Sequence, residues 1–480
     1  MPTRADTFRP AFEAAAESAS SPAGRRPCFF LRTSQASRGS VLVGLLWCLA
    51  LLSIVVIGVL HTARMDLMVG KNHSDRIQAH YLALSGIEKA KALLYQNARE
   101  RSRSRQNHSG NFYNSPNDFR DVTLGRGTFS VIRRGRDDEG GGVLYGVSDE
   151  ESRINVNTVS TEALGKLDGM TSDVLAAITD WRDGDNSVSP GGAESEYYLS
   201  LPRPYQARNG RIQTIRELLM VRGVSSSLLF GNDSNLNGLL DSEVEDGKVR
   251  FIHPAATDAS LGWAGLLTTD STTKNVNAAG EERVNAQSAD EAALTQVPGI
   301  SADIARVIVS YRGQNQFQSI ADLLDVTSGG STNRNAGGGS RTVSGQQGSG
   351  PKVISEELLM EIADDITVDS NQDLAGLINI NTASLEVLAT LPGLDRELAQ
   401  AIIAYRQSSG FFPNVAYLLK VPGFNQSLLK QVGPLVTARS ETYRILSEGR
   451  LRSGARQRIE VVVHIGLSDV TTFSYREDNL

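Results

Sequence analysis

Ser40 to Leu60 reads SVLVGLLWCLALLSIVVIGVL, 21 residues without a single charge. A helix of that length spans roughly 30 Å, the thickness of a bilayer's hydrocarbon core. Ahead of it stand Arg4, Arg9, Arg25, Arg26, Arg32 and Arg38 against Asp6, Glu13 and Glu17. A basic leader before an apolar run keeps the leader in the cytoplasm and sends the downstream chain across the membrane. A cleavable secretory signal has a shorter apolar region and then a small-residue site. The segment after Leu60, HTARMDLM, offers none, so the anchor is expected to stay. Both cysteines fall early, Cys28 in the leader and Cys48 inside the apolar run, so no disulfide can brace the exported part. Its stability has to come from burial or from metal.

The chain of 480 residues, 40% hydrophobic and 21% charged, has room for two or three domains with ordinary cores. Residues 1–39 are Ser-, Ala- and Arg-rich without a period and are expected to be a disordered leader. Residues 40–105 read as one transmembrane and stem helix. Ala79, Leu82, Ala83, Gly86, Ala90, Leu93 and Leu94 recur mostly at steps of three and four, which makes the later part amphipathic. In 106–152, GTFSVIRRG and GVLYGVSDEE look like strands edged by glycine. In 438–480, TYRILSEGRLR, QRIEVVVHIGL and VTTFSYRED return to that mode. Strands at both ends with helices between predict one β-domain interrupted by an insertion over 153–437.

The insertion repeats itself. Gly169, Gly299 and Gly393 are each followed 13 residues later by Arg182, Arg312 and Arg406, with Trp181, Tyr311 and Tyr405 just before the arginines. A Leu-Leu-x-Val follows each, at Leu218, Leu323 and Leu418. Asn157 and Asn381 stand 12 residues before the first and third glycines, where Asn-Thr is expected to cap the next helix. LPGLDRELAQAIIAYR reads as a helix end, a Pro-Gly turn and a second amphipathic helix, a helix-hairpin-helix pattern. Between the second and third copies, 328–350 is a Gly/Ser linker with nothing to bury and is expected to be disordered.

Helix-hairpin-helix units that hold DNA place a second glycine in the turn, so that backbone N–H groups can meet phosphate. Here Thr171, Ser301 and Asp395 occupy that position, and the nearby bases are few: Lys166, and Arg396 beside Glu397. Phosphate binding runs on clustered Lys and Arg, and the net charge of −6 adds no attraction. The hairpins are therefore read as a packing scaffold without nucleic acid. The aromatic-Arg pairs are read as helix-face packing with a snorkelled Arg.

Two acidic clusters are the candidate sites. Asp233, Asn235, Asn237, Gly238 and Asp241 fall on positions 1, 3, 5, 6 and 9 of an EF-hand-like loop. Val244 stands where the bidentate Glu belongs, with Glu243 and Glu245 flanking it. The second cluster is Asp180, Asp183, Asp185, Glu194 and Glu196, within DWRDGDNSVSPGGAESEYY. Carboxylates so close repel one another unless water or a cation spaces them, and hard oxygen ligands select Ca²⁺ over zinc. Either cluster could instead be a solvated acidic loop. The six histidines show no paired spacing, and nucleophile elbows and phosphate loops are absent, so neither an enzyme nor a small-molecule substrate is expected.

Arg38-Gly39-Ser40 places a glycine between basic leader and apolar helix, which resembles the prepilin peptidase site of type IV pilins and type II secretion pseudopilins. Most pilins carry Glu as the fifth residue after the cut, and this chain has Gly44. That departure, the stem YLALSGIEKAKALL and the stretch GGAESEYYLSLP resemble the minor pseudopilin K family. The resemblance implies an α+β fold: a pilin-like N-terminal transmembrane helix and small antiparallel sheet, interrupted by a large all-α insertion with three helix-hairpin-helix-like repeats. It implies cleavage between Gly39 and Ser40 by prepilin peptidase, methylation of Ser40 and structural Ca²⁺ in the insertion. It also implies single-pass residence in the inner membrane with the bulk periplasmic, and assembly with minor pseudopilins I and J at a filament tip. The competing reading is a membrane-anchored DNA-binding or DNA-uptake protein built on the hairpins.

Overall fold

The structure, a computed structural model, describes residues 39–107, 110–231, 233, 262–328 and 350–478. The leader 1–38 and the linker 329–349 lie outside the described residues. Helix α1 runs from Gly39 to Ser104. Residues to Val69 form one compact unit and Gly70–Leu480 another.

In the first unit the apolar side chains face outward: Leu45, Trp47, Ile54 and Leu60 are each more than half exposed. Among the described residues α1 alone is long and apolar enough to cross a membrane, with a window of mean hydropathy 2.8. Its one mid-span hydroxyl, Ser53, donates to the Leu49 carbonyl at 2.8 Å, which satisfies that group within the helix itself.

In the second unit the later turns of α1 pack on an antiparallel sheet. Its strands are β1 (Val122–Leu124), β2 (Gly127–Arg134), β3 (Val143–Leu144), β4 (Ser148–Asp149), β5 (Thr442–Leu451), β6 (Arg456–Ile465) and β7 (Val470–Asp478). The order is β1-β2-β5-β6-β7, with β3 on β2 and β4 on β5. The chain leaves the sheet after β4 and returns at β5, where Tyr443 pairs with Asp149. Alternation along β5 and β6 sends Tyr443, Ile445, Ile459, Val461 and Val463 toward Ala83, Ile87, Ala90 and Leu94 of α1. Small residues let helix and sheet come this close. A Cβ at Gly449 would strike the Ala79 carbonyl and the Ala83 amide, and one at Gly86 would strike Ser447.

The insertion holds three principal helices: α2 (Ser172–Arg182), α3 (Ala302–Arg312) and α4 (Arg396–Ser409). A short helix and a turn precede each, and the turn glycines Gly169, Gly299 and Gly393 sit at φ of +74°, +92° and +71°, which a Cβ disfavours. Thr171, Ser301 and Asp395 cap the three helices by accepting from the N–H three residues on.

Three details depart from the sequence reading. The insertion is not all-α: Ile154–Asn155 pairs in parallel with Leu267–Thr268, Val284–Asn285 with Ile366–Thr367, and Ile378–Asn379 with Val436–Thr437. Two-residue strands carry no readable period. The helices after Asn157 and Asn381 are capped by Ser160 and Ser384. Asn157 instead exchanges two hydrogen bonds with the Ile212 backbone (2.8 and 3.0 Å), and Asn381 two with Phe412 (2.7 and 3.0 Å). Each amide thereby satisfies a distant loop. The arginines do not snorkel. Arg406, buried, donates to the carbonyls of Ile380 (3.1 Å) and Ala383 (2.8 Å). Arg312 donates to Ala286 (2.9 Å), and Arg182 to Val156 and Val159. Arg182 spreads Nη1 and Nη2 over two carbonyls of the short strand-to-helix turn, and Arg406 reaches two such carbonyls from Nη1 alone.

Candidate metal centre

The last turn of α2 ends with Asp180, Trp181 and Arg182, and Asp183 is its C-cap, turning the chain out into an extended backbone. The next loop comes back through Ser189-Pro190-Gly191-Gly192 to Ala193-Glu194. Gly191 takes φ +83°, and a Cβ at Gly192 would run into the Asp180 carboxylate. Only glycine lets the returning strand lie against that acid. The Ser189 N–H donates to both Asp180 oxygens (3.3 and 3.2 Å). Arg222 Nη1 donates to the Gly192 carbonyl (2.9 Å) and stacks over the Tyr197 ring. Behind the loop Trp181 and Tyr198 meet edge to face at 5.0 Å, and Trp181 Nε1 donates to Glu217 (3.0 Å).

This framing brings Asp180, Asp183 and Glu194 together. One oxygen from each lies within 4.8 Å of the other two. Asp180 and Glu194 are buried, at 0% and 1% exposure. Glu194 occupies the N-cap of the short helix Ser195–Leu199 without capping it. Both of its oxygens and Asp183 Oδ1 are buried without a hydrogen-bond partner. Burial raises the pKa of Glu194, and the charges of Asp183 and Asp180 raise it further. Burial raises Asp183 as well, against the Asp185 N–H and with the charges of Asp185 and Asp180. Three converging carboxylates with orphaned oxygens fit a hard cation. Ca²⁺–O distances of about 2.4 Å put two ligands on one ion up to roughly 4.8 Å apart.

Asp185 and Glu196 are exposed and stand outside this group. Asp185 instead accepts from the Ser187 N–H, which lowers its pKa. Of the EF-hand-like loop only Asp233 is described, buried with its N–H on the Phe230 carbonyl (3.0 Å). Asn235, Asn237, Asp241 and Glu245 lie outside the described residues. Gly39 and Ser40 form the first turn of α1, and their side chains are not described. At the hairpins Lys166 Nζ donates to the Leu391 carbonyl (2.9 Å), tying the first hairpin to the third. Sequence reasoning missed the roles of Gly192 and Arg222. The Gly-Gly pair inside an acidic stretch was the available sign.

The fold thus joins a helix long and apolar enough to cross a membrane, an antiparallel sheet and an inserted helical region that carries an acidic centre. Residues 152–230 match the family model for type II secretion system protein K, and 280–330 and 375–437 match the helix-hairpin-helix motif. The type II secretion system protein K of Pectobacterium carotovorum subsp. carotovorum is 30% identical over 200 residues, 40% of this chain and 60% of that one. The mouse endonuclease/exonuclease/phosphatase family domain-containing protein 1 is 31% identical over 156 residues, 32% of this chain and 27% of that protein. The chain thus spans about a quarter of the mouse relative and 60% of the bacterial one. Among solved structures, the GspK-GspI-GspJ complex of the enterotoxigenic Escherichia coli type 2 secretion system aligns over 87% of this chain and 100% of its own. It does so at 12% identity and a TM-score of 0.39. The chain is similar to type II secretion system protein K, over residues 152–230 of the insertion.

Proposed function

We propose that the chain is a minor pseudopilin of the type II secretion system, a structural component that caps the tip of the periplasmic pseudopilus and initiates its assembly for export across the outer membrane. The observation that carries this is the protein K match, which falls on the insertion between β4 and β5 of a sheet packed on α1. Prepilin peptidase cuts between Gly39 and Ser40, Ser40 is methylated, and α1 lodges in the inner membrane and then among the helices of minor pseudopilins I and J. Pilin-like stems stack through their helices, and a bulky insertion hinders a further subunit above it. The tip is where such bulk is tolerated. The insertion is built from three copies of one hairpin unit. In support, Arg182, Arg312 and Arg406 each reach the carbonyl 26 residues upstream. Ca²⁺ at Asp180, Asp183 and Glu194 braces the first copy.

N-terminal sequencing of the mature protein tests the reading: a start at Ser40 is expected, and a start elsewhere refutes peptidase processing. Co-expression with I and J is expected to yield a ternary complex. The DNA-binding reading has the helix-hairpin-helix match in its favour. Against it, Thr171, Ser301 and Asp395 already occupy the helix N-termini and Lys166 is engaged. Salt-dependent retention of the chain on duplex DNA would reverse the choice.

A further inference from the structure

Where the chain leaves the sheet for the insertion, three consecutive acids, Asp149, Glu150 and Glu151, are all buried, at 4%, 0% and 0% exposure. Glu150 is neutralised by Arg444, which donates to both its oxygens (2.7 and 3.2 Å), with Arg153 at 3.8 Å. The flanking pair is held differently. Asp149 Oδ1 accepts from the Glu151 N–H (2.9 Å), and Oδ2 accepts from Asn379 Nδ2 (2.9 Å), Ser440 Oγ and Thr382 Oγ1. The Glu151 carboxyl accepts from the Thr442 N–H (3.1 and 3.2 Å), and it lies in the field of the Asp149 charge. Two buried carboxylates in each other's field cannot both stay charged without a cation, so one of them holds a proton.

Groups on every surrounding element face this pair. Tyr113, from the turn Asn111–Tyr113, and Tyr443 of β5 both lie in its field, and Tyr443 donates its hydroxyl to the Ser440 carbonyl (2.7 Å). The arginines of the adjoining segments have partners of their own: Arg101 of α1 and Arg439 lie at 3.7 and 3.6 Å from Glu441, and Arg444 and Arg153 pair with Glu150. Among the described residues neither Asp149 nor Glu151 forms an ion pair.

We propose that one proton shared between Asp149 and Glu151 fastens the insertion to the sheet, and that its loss at rising pH loosens this corner. The donors gathered on the pair come from both sides of the junction. Asn379 and Thr382 belong to the insertion, Ser440 to the segment leading into β5 and Thr442 to β5 itself, and the Asn379 N–H also donates to the Glu151 carbonyl (2.8 Å). Without the proton two neighbouring charges are confined in the interior with no ion pair to either among the described residues. Burial raises both carboxyls, and the Asp149 charge raises Glu151 further. The folded pair therefore holds more protons than the unfolded chain above the ordinary Glu value of about 4.3. Stability is full below that value and is lost as pH rises through the pair's upper transition.

The test uses the full chain in detergent, saturated with calcium to hold the acidic centre constant. Between pH 5 and 8 the wild type should lose stability by roughly tenfold in the folding equilibrium per pH unit across the transition, the slope of one proton. Glu151→Gln, which mimics the protonated form, should lose that slope, and Glu150→Gln should keep it. A protonated-carboxyl stretch should appear in the infrared spectrum of the wild type and vanish in Glu151→Gln. Parallel pH profiles in wild type and Glu151→Gln overturn the proposal. If that variant does not fold, Asp149→Asn takes its place in the infrared measurement. A wild-type spectrum with no such stretch, or one the variant retains, is equally fatal.

Discussion

Removing calcium should expose the cost of bringing Asp180, Asp183 and Glu194 together. At 4.8 Å, the widest separation of their oxygens, a pair of charges repels by roughly 3.5 kcal/mol at an effective dielectric of about 20, a cost that protonation of one carboxyl relieves. An ion present at about 100 times its dissociation constant adds roughly 2.7 kcal/mol to the folded state. For a domain a few hundred residues long that is roughly 5–10 °C in melting temperature, scaling at about 2–4 °C per kcal/mol. Differential scanning fluorimetry of the full chain with calcium and with chelator reads this directly. Glu194→Gln removes one charge and one ligand, so its signs should split: the metal-free protein melts above metal-free wild type, and the calcium shift largely disappears. The idea fails if chelator leaves the wild type unmoved, or if Glu194→Gln keeps the full shift, which would put the ion elsewhere.

Glu150 is buried, yet its two arginines hold its pKa down to about 2 against the burial that would raise it. Because the folded value lies below the unfolded one, its contribution is present at neutral pH and is lost as pH falls from about 4 to 2. Glu150→Gln should therefore destabilise by roughly 3 kcal/mol at pH 7, at about 1.36 kcal/mol for each tenfold difference in proton affinity between folded and unfolded chain, and by little at pH 2. Equal cost at both values, measured by urea unfolding, would remove the ion pair as its cause. Gly449→Val should cost roughly 1–3 kcal/mol or more, because the atoms its side chain meets are helix backbone and cannot rotate away. A melting curve like the wild type's would mean that α1 does not lie on the sheet as described.

Much of this arrangement could be read in the chain order of residues. The uncharged run from Ser40 declares itself by length alone, since lipid admits little else. The three Gly-to-Arg spacings mark the hairpins because a turn at positive φ and a helix of fixed rise leave few choices of residue or distance. Asn157 and Asn381 mislead at this level because Asn serves equally as a cap or as a bridge to a remote loop. Which role it takes depends on whether Ile212 or Phe412 arrives opposite it. Asp180, Asp183 and Glu194 were visible as acids, but so were Asp185 and Glu196. Only the fold of Gly191-Gly192 against α2 separates the converging three from the two left in solvent.

Sequence by itself determined the long apolar helix, the interrupted sheet and the glycine turns before the insertion's helices, because each is written in local periodicity, turn chemistry or spacing. Tertiary structure alone decided which carboxylates meet each other and which meet arginine. Glu150 and Glu151 are the same residue type, adjacent in the chain. One faces Arg444, and the other faces Asp149 and the Thr442 amide. Charge interactions depend on distances across the fold that no local pattern encodes, so neighbours in sequence can end up as opposites in electrostatics.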